Sequence, residues 1–280
     1  MSIERVEIAA SPCPNDVFIL SGLILNKVLT SFEYSFKFAD IETLNELALK
    51  KAFPVIKVSF ALYPEVYPDY QILSCGSALG FGVGPLLVSR KEIKELNFAD
   101  FKVGIPGRYT TAYFLFKFFY PKEIQKIFLP YYEIIPALLR GDIDLGVLIH
   151  EGRFVYAKYG LFLVQDLGTY WEEKVNAPLP LGGFLVKRDF PEDKKNRILQ
   201  DLRRSLKYAW AKKDEVYPLL KKYAQEPSQE VIFNHIQTYV NSYTLKLEGE
   251  ALKGIKVFFE TLNFKEDPEN FIWENKDGIS

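Results

Sequence analysis

The sequence predicts an α/β protein of two lobes with a cleft between them, and three observations carry that expectation. Segments with strand character alternate with amphipathic, helix-like segments over roughly the first two thirds of the chain. Two strand-like runs, Gly84-Pro-Leu-Leu-Val-Ser-Arg90 and Gly182-Gly-Phe-Leu-Val-Lys-Arg188, resemble each other, each led by glycine and closed by a basic residue. Between them lies a complete small α/β unit, and the chain after about residue 187 reads as mostly helical. We expect residues 1–88 and 187–280 to form a discontinuous first lobe, residues 89–186 an inserted second lobe, and the two similar strands a hinge. A chain that crosses twice between lobes builds a cleft, a common seat for small ligands.

The elements follow in order. Val6 to Ala10 reads as a strand, and Ser11-Pro-Cys-Pro-Asn-Asp16 as a stiff turn, since two prolines fix φ and deny a continuous helix. The apolar stretch Val17 to Leu25 follows it. Ile56 to Ser59 is a second strand, after which Pro64 makes the next helix short or displaced. In the inserted unit we expect a strand near Phe101 to Ile105, a helix from about Thr111 to Tyr120 and a strand near Lys126 to Leu129. A helix near Glu133 to Arg140 and a strand from Ile143 to Ile149 complete it. Beyond the second crossing, Ile198, Leu202 and Leu206 recur at spacing four within Arg197 to Trp210. Ser228 to Tyr239 and Glu248 to Leu262 repeat the amphipathic pattern, and these helices are expected to return over the first lobe.

Composition excludes several functions. With 48% hydrophobic residues, the chain has material for two packed cores and is not an intrinsically disordered protein. The 35 Lys+Arg against 36 Asp+Glu leave no basic excess of the kind nucleic acids or anionic membranes select, so neither is an expected partner. Cys13, Cys75, His150 and His235 are too scattered for a zinc site, and Asp142 with Asp144 supplies too few ligands for a hard cation, so no metal is expected. Gly76, Gly80, Gly82 and Gly84 lead into a strand with no Gly-Lys-Ser/Thr behind them, which rejects a nucleotide loop. The basic run Lys194 to Arg204 has acidic neighbours and helical spacing, and reads as a solvated face. The opening MSIERVEIAAS shows neither the basic start nor the apolar core of a signal peptide. No segment is long enough to cross a bilayer. We therefore expect a cytoplasmic protein with free thiols.

Four segments can carry chemistry. The Ser11 to Asp16 turn is either a stiff connection or a helix N-terminus whose free N–H groups hold a carboxylate or hydroxyl. Thr110-Thr111-Ala112 repeats the device in the inserted unit, where threonine is ordinarily just a cap. Lys57 and Ser59 end a strand at the carboxyl edge of the first-lobe sheet, where ligands of open α/β sheets tend to sit. Asp144-Leu-Gly-Val-Leu-Ile-His150-Glu-Gly-Arg153 is a buried-type strand running into a histidine, whose pKa range suits a general base. Glu151 or a backbone carbonyl could fix its tautomer. The bland alternative is a satisfied structural histidine, and His235, on a C-terminal helix, is read that way.

In order and spacing, Ser11-Pro-Cys-Pro-Asn-Asp16, Lys57-Val58-Ser59, Arg108-Tyr-Thr-Thr-Ala112 and Ile149-His-Glu-Gly-Arg-Phe154 resemble the 1,4-dihydroxy-6-naphthoate synthases of the futalosine route to menaquinone. Tyr239-Val-Asn241 extends the resemblance over nearly the whole chain. It implies the type II periplasmic-binding-protein fold in a cytoplasmic enzyme, needing no cofactor. It also implies a small carboxylate substrate, cyclic dehypoxanthine futalosine, cleaved to the dihydroxynaphthoate. His150 would be the proton acceptor, with Lys57, Val58 and Ser59 from one lobe and Thr110 and Thr111 from the other lining the substrate site. Val17 and Phe60-Ala-Leu depart conservatively from the family pattern and bear on packing near Ser59.

The expected chemistry is proton removal from a sugar-derived hydroxyl by His150, followed by carbon–carbon cleavage of retro-aldol type. Lys57, Arg108 or a helix N-terminus would hold the carboxylate. Three rivals share the fold: a non-catalytic binding protein for small anions, the effector-binding half of a transcription regulator, and the sister chorismate dehydratase. The absent secretion signal counts against the first, the lack of a segment for a helix-turn-helix against the second, and the Ser11 and His150 motifs against the third.

Overall fold

The computed structural model describes residues 4–93, 101–120 and 124–274. Among these residues the first ten strands are β1 (Arg5–Ala10), β2 (Glu33–Phe38), β3 (Val55–Ser59), β4 (Tyr70–Leu73), β5 (Ala78–Gly80), β6 (Leu86–Ser89), β7 (Lys102–Ile105), β8 (Gln125–Phe128), β9 (Leu145–Leu148) and β10 (Phe162–Asp166). Two more follow, β11 (Leu179–Lys187) and β12 (Ile272–Trp273). They make two sheets. The first runs β12-β4-β11-β3-β1-β2 with β5 beside β11, and the second runs β10-β6-β9-β7-β8.

Each sheet has a parallel part: β1 with β2 and β3, and β7 with β8 and β9. Parallel strands need crossover helices. These are α1 (Pro14–Ile24), α2 (Ile41–Leu49) and the short α3 (Tyr63–Val66) in the first lobe. The second lobe has α4 (Thr111–Phe119), α5 (Ile134–Arg140), α6 (Gly152–Val155) and α7 (Leu167–Val175). The C-terminal part is helical as expected: α8 (Glu192–Ala211), α9 (Lys213–Tyr223), α10 (Gln229–Tyr239), α11 (Ser242–Leu245), α12 (Glu250–Thr261) and α13 (Pro268–Phe271).

Local chemistry explains the element starts. Pro14 occupies the first turn of α1, where its missing N–H costs nothing, so the helix begins three residues before the apolar run at Val17. Asp40 caps α2 by accepting from Glu42 and Thr43 N–H, and Thr110 caps α4 by accepting from Tyr113 N–H. After β3 the chain makes only one 3-10 turn, Phe60–Leu62, and then four helical residues, as Pro64 leads one to expect.

Helices α8, α9 and α10 cover α1 over a core that includes Phe18, Leu202 and Ile236. From the other side α12 reaches both lobes. Phe258 packs edge-on against Phe114 of α4 and Trp171 of α7, with centroids 4.9 and 5.6 Å apart. The hinge is made where β5 and β11 lie antiparallel, at Ala78–Gly80 and Leu179–Gly182.

The lobe boundaries differ from those expected at residues 88 and 187. Strand β6 pairs with β9 and β10, so Leu86 to Val88 belong to the second sheet. Strand β11 pairs with β3 from Gly182 onward, so Gly182 to Val186 belong to the first. The similar runs are therefore the strands each crossing enters, and the crossings precede them.

Candidate active site

The C-terminal ends of β1, β3, β7 and β9 converge on one cavity between the lobes, with an empty volume of about 650 Å3 that includes its open mouth. Ser11, Asn15, Asp16, Lys57 and Ser59 line it from the first lobe, and Thr110, Thr111, Ala112, Ile149 and His150 from the second. The hinge contributes Leu181 and Gly182, and α10 contributes His235 and Tyr239.

Of the residues singled out from sequence, Lys57, Ser59, Thr110, Thr111 and His150 meet in this cavity, and Val58 does not. Strand alternation sends Lys57 and Ser59 to the cavity face and Val58 to the opposite one, where it is fully buried among apolar side chains. Ser59 is fixed by Asn45, which donates to the Ser59 hydroxyl at 3.1 Å and accepts from its N–H at 2.9 Å. Thr111 donates to the Leu181 carbonyl at 2.8 Å and accepts from Ala61 N–H at 3.3 Å, tying α4 to the other lobe.

The three expected carboxylate holders, Lys57, Arg108 and a helix N-terminus, stand in different surroundings. The Lys57 ammonium lies 2.6 Å from Asp16 and donates to the Gly76 carbonyl at 2.9 Å, both partners being buried. Burial raises the Asp16 carboxyl pKa, and the Lys57 charge opposes that rise. The Lys57 ammonium is thus already engaged with two buried partners inside the first lobe. Arg108 is exposed, with its guanidinium 4.5 Å over the Phe128 ring and away from the cavity. What remains is backbone. Helix α4 begins at the cavity wall, and the N–H groups of Thr111 and Ala112 in its first turn have no intrahelical acceptor.

His150 lies two residues beyond β9, in a turn, with φ of +52°, a left-handed conformation that histidine adopts more readily than most side chains. Its Nδ1 is 3.1 Å from Cys13 Sγ. That sulfur also accepts from the Ser11 hydroxyl at 2.8 Å and lies 3.9 Å from the Tyr131 hydroxyl. His150 Nε2 has no protein partner. Burial, with the Lys57 charge second, lowers the imidazole pKa to about 4, so the ring is neutral at pH 7. The Cys13 thiol is pushed well up, first by burial and then by Glu151, which keeps it a thiol and not a nucleophilic thiolate.

Glu151, expected as a tautomer-fixing partner, turns away: its Oε1 accepts from Gln225 N–H at 3.3 Å. Cys13 takes that place. The sequence shows Cys13 only as part of a rigid turn, because a partnership across 137 residues leaves no local trace. Asn15, Asp16 and His235 line the cavity as well, beyond the lining residues expected from sequence. The available signal was that His235 and Tyr239, four apart on one helical face, share α10 with the start of a family-like motif.

Among the described residues no three His, Cys, Asp or Glu side chains are grouped as a metal site would need, and no helix is long and apolar enough to cross a membrane.

A sequence family described as menaquinone biosynthesis matches residues 6–263. The 1,4-dihydroxy-6-naphthoate synthase of Thermus thermophilus is 40% identical over 261 residues, covering 92% of this chain and 93% of that one. The enzyme of the same name from Streptomyces coelicolor is 34% identical, covering 91% and 92%. A crystal structure of a protein from Archaeoglobus fulgidus superposes with a TM-score of 0.88 at 33% identity, covering 92% of this chain and 97% of that one. The periplasmic aliphatic sulphonate binding protein SsuA from Escherichia coli matches at a TM-score of 0.64 and 14% identity over 100% and 95% of the two chains, a likeness of fold alone. The two-lobed architecture is therefore that of the periplasmic binding proteins, and the chain belongs to the menaquinone-biosynthesis family, among its 1,4-dihydroxy-6-naphthoate synthases.

Proposed function

We propose that the protein is a carbon–carbon lyase that converts cyclic dehypoxanthine futalosine to 1,4-dihydroxy-6-naphthoate, with His150 as general base. The observation that carries this reading is the His150 imidazole, neutral and held through Nδ1, with Nε2 unpartnered beside the cavity. A base needs a lone pair on Nε2, which requires the hydrogen on Nδ1. Cys13 suits that tautomer. Its sulfur, which accepts from the Ser11 hydroxyl, stands where it can accept from Nδ1–H as well.

In this reading His150 Nε2 takes the proton of a substrate hydroxyl. The oxygen lone pair then forms a carbonyl on the departing sugar-derived fragment as the neighbouring carbon–carbon bond breaks, the electron pair of that bond passes to the adjacent ketone of the bicyclic part as an enolate, and return of the proton from the imidazolium with aromatisation gives the dihydroxy product. The cleavage is redox-neutral and asks only for proton transfer, so the proposal invokes no cofactor. The N–H groups opening α4 hold the substrate carboxylate. Ser59 and Thr111, each already hydrogen-bonded to its own lobe or across to the other, shape the wall.

Incubation of the purified protein with cyclic dehypoxanthine futalosine, followed by mass and absorbance detection, should show dihydroxynaphthoate. His150→Ala should lose turnover by at least about 100-fold while keeping fold and ligand binding. Undiminished product from the variant would remove His150 from the mechanism. Binding without product from the native protein would favour a binding protein of the same fold.

A further inference from the structure

A second histidine in the cavity has a hydrogen-bonding requirement that the protein itself does not meet. His235 on α10 is fully buried and lines the same cavity as His150, and the two rings stand 6.4 Å apart in planes only 10° from parallel. Its Nε2 lies 2.9 Å from Asn15 Oδ1, and its Nδ1 has no protein partner.

The tautomer can be worked out from the network. Asp16 accepts from the Lys57 ammonium at 2.6 Å and from Ser11 N–H at 3.3 Å, so the Asn15 group 2.9 Å from Asp16 Oδ1 is the amide NH2. The Asn15 carbonyl oxygen therefore faces His235, and a carbonyl only accepts, so Nε2 carries the hydrogen. Burial, and secondarily His150, hold the His235 pKa well below the usual range and the ring neutral. Nδ1 is then a bare lone pair. A buried acceptor with no donor is unfavourable, and a histidine kept only for packing gains nothing from one.

Tyr239 and Phe154 pack against the ring at centroid distances of 4.6 and 5.9 Å without supplying a donor to Nδ1. Among the described residues no donor reaches this buried nitrogen, and His235 borders the cavity, so a ligand that fills the cavity is the available source of one. We propose that His235 Nδ1 accepts a hydrogen bond from a hydroxyl of the substrate, fixing the polyhydroxylated part of the ligand beside His150 and selecting against analogues that lack this hydroxyl. The inference rests on the proposed substrate, whose sugar-derived ring carries such groups. A site built to hydrogen-bond a hydroxyl discriminates strongly, because a ligand without it leaves the buried acceptor unpaired.

Two variants separate the ring nitrogens. His235→Gln places an amide NH2 where Nε2 donates to Asn15 but has no acceptor at Nδ1, whereas His235→Asn places a carbonyl oxygen near Nδ1. His235→Gln should raise KM for cyclic dehypoxanthine futalosine about tenfold, the loss of one hydrogen bond, while the pH profile of kcat stays as in the wild type. His235→Asn should recover part of that loss. The chain has only two histidines, so His150→Ala protein labelled with 15N-histidine and free of any tag reports His235 alone. Saturation with the same compound should move the Nδ1 resonance upfield, the direction of a newly accepted hydrogen bond. An Nδ1 resonance that stays in place, or a KM for His235→Gln within twofold of wild type, would overturn the proposal. Absence of product from the wild type would overturn the lyase reading instead, and the resonance would still decide the role of His235.

Discussion

The role proposed for His150 requires a ring that stays unprotonated until the substrate arrives, and desolvation meets that condition. Its pKa of about 4 leaves the neutral ring dominant across the physiological range. Activity follows the deprotonated form, so kcat/KM should be level through neutrality and fall as pH drops through about 4. Stability acts in the same direction. A histidine buried neutral binds fewer protons than its unfolded counterpart, so its contribution is complete above the unfolded value of 6.5 and is lost as pH falls from there toward 4. Assays after a brief acid exposure and return to pH 7 separate the two. Full recovery marks simple titration, whereas a kcat/KM already falling between pH 7 and 6 would refute the depressed pKa. At this scale the sequence was informative about residue type and less so about partnership. His150, Ser59 and Thr111 were legible because each ends a strand or opens a helix. Val58 was carried along by its triplet, and only alternation along β3 shows that it faces the core.

Among the elements, the crossing into the second lobe depends on backbone meeting backbone. A Cβ on Gly84 would lie 2.2 Å from Gly168 Cα and 2.4 Å from its nitrogen, so strand entry and the start of α7 touch where no side chain fits. The Arg153 guanidinium donates to the Gly84 carbonyl and pairs with Asp166, which caps α7, so the motif that follows His150 also braces this crossing. Gly84→Ala must push two backbones apart. It should destabilise the protein by about 1–3 kcal/mol, the usual cost of overpacking, seen as a lower midpoint in thermal unfolding. An unchanged midpoint would mean the crossing yields without cost. The sequence showed the glycine and the strand behind it, but placed the boundary after the strand. Hydrophobic periodicity locates strands without saying which sheet they join, and that choice is made by β9 and β10, far along the chain.

Across the whole molecule, the lobes are also held together by bonds outside the cavity wall. The carboxylate of Glu42, on α2 of the first lobe, accepts from the N–H groups of Arg108 and Tyr109 in the turn before α4 of the second. Gly107 permits the approach, since a Cβ there would lie 2.4 Å from Glu42 Oε2. Burial raises the Glu42 carboxyl pKa, and the two N–H groups oppose the rise. A hydrogen bond to a charged group contributes about 1.5–3 kcal/mol, enough to set the balance between a closed and an open arrangement of the lobes. The latch also positions the turn that leads into Thr110 and the N–H groups proposed to hold the substrate carboxylate. Glu42 does not itself line the cavity, so Glu42→Ala removes no lining side chain. Removing the latch should shift the ligand-free protein toward open lobes and enlarge its radius of gyration in solution scattering. Ligand then has to supply the closure energy, and apparent affinity for cyclic dehypoxanthine futalosine should fall about tenfold, in proportion to the closed fraction that remains. Saturating ligand should return the radius to the wild-type value. A variant with unchanged radius and affinity would show that Thr111 and the packing of Phe258 against α4 and α7 keep the lobes closed without Glu42.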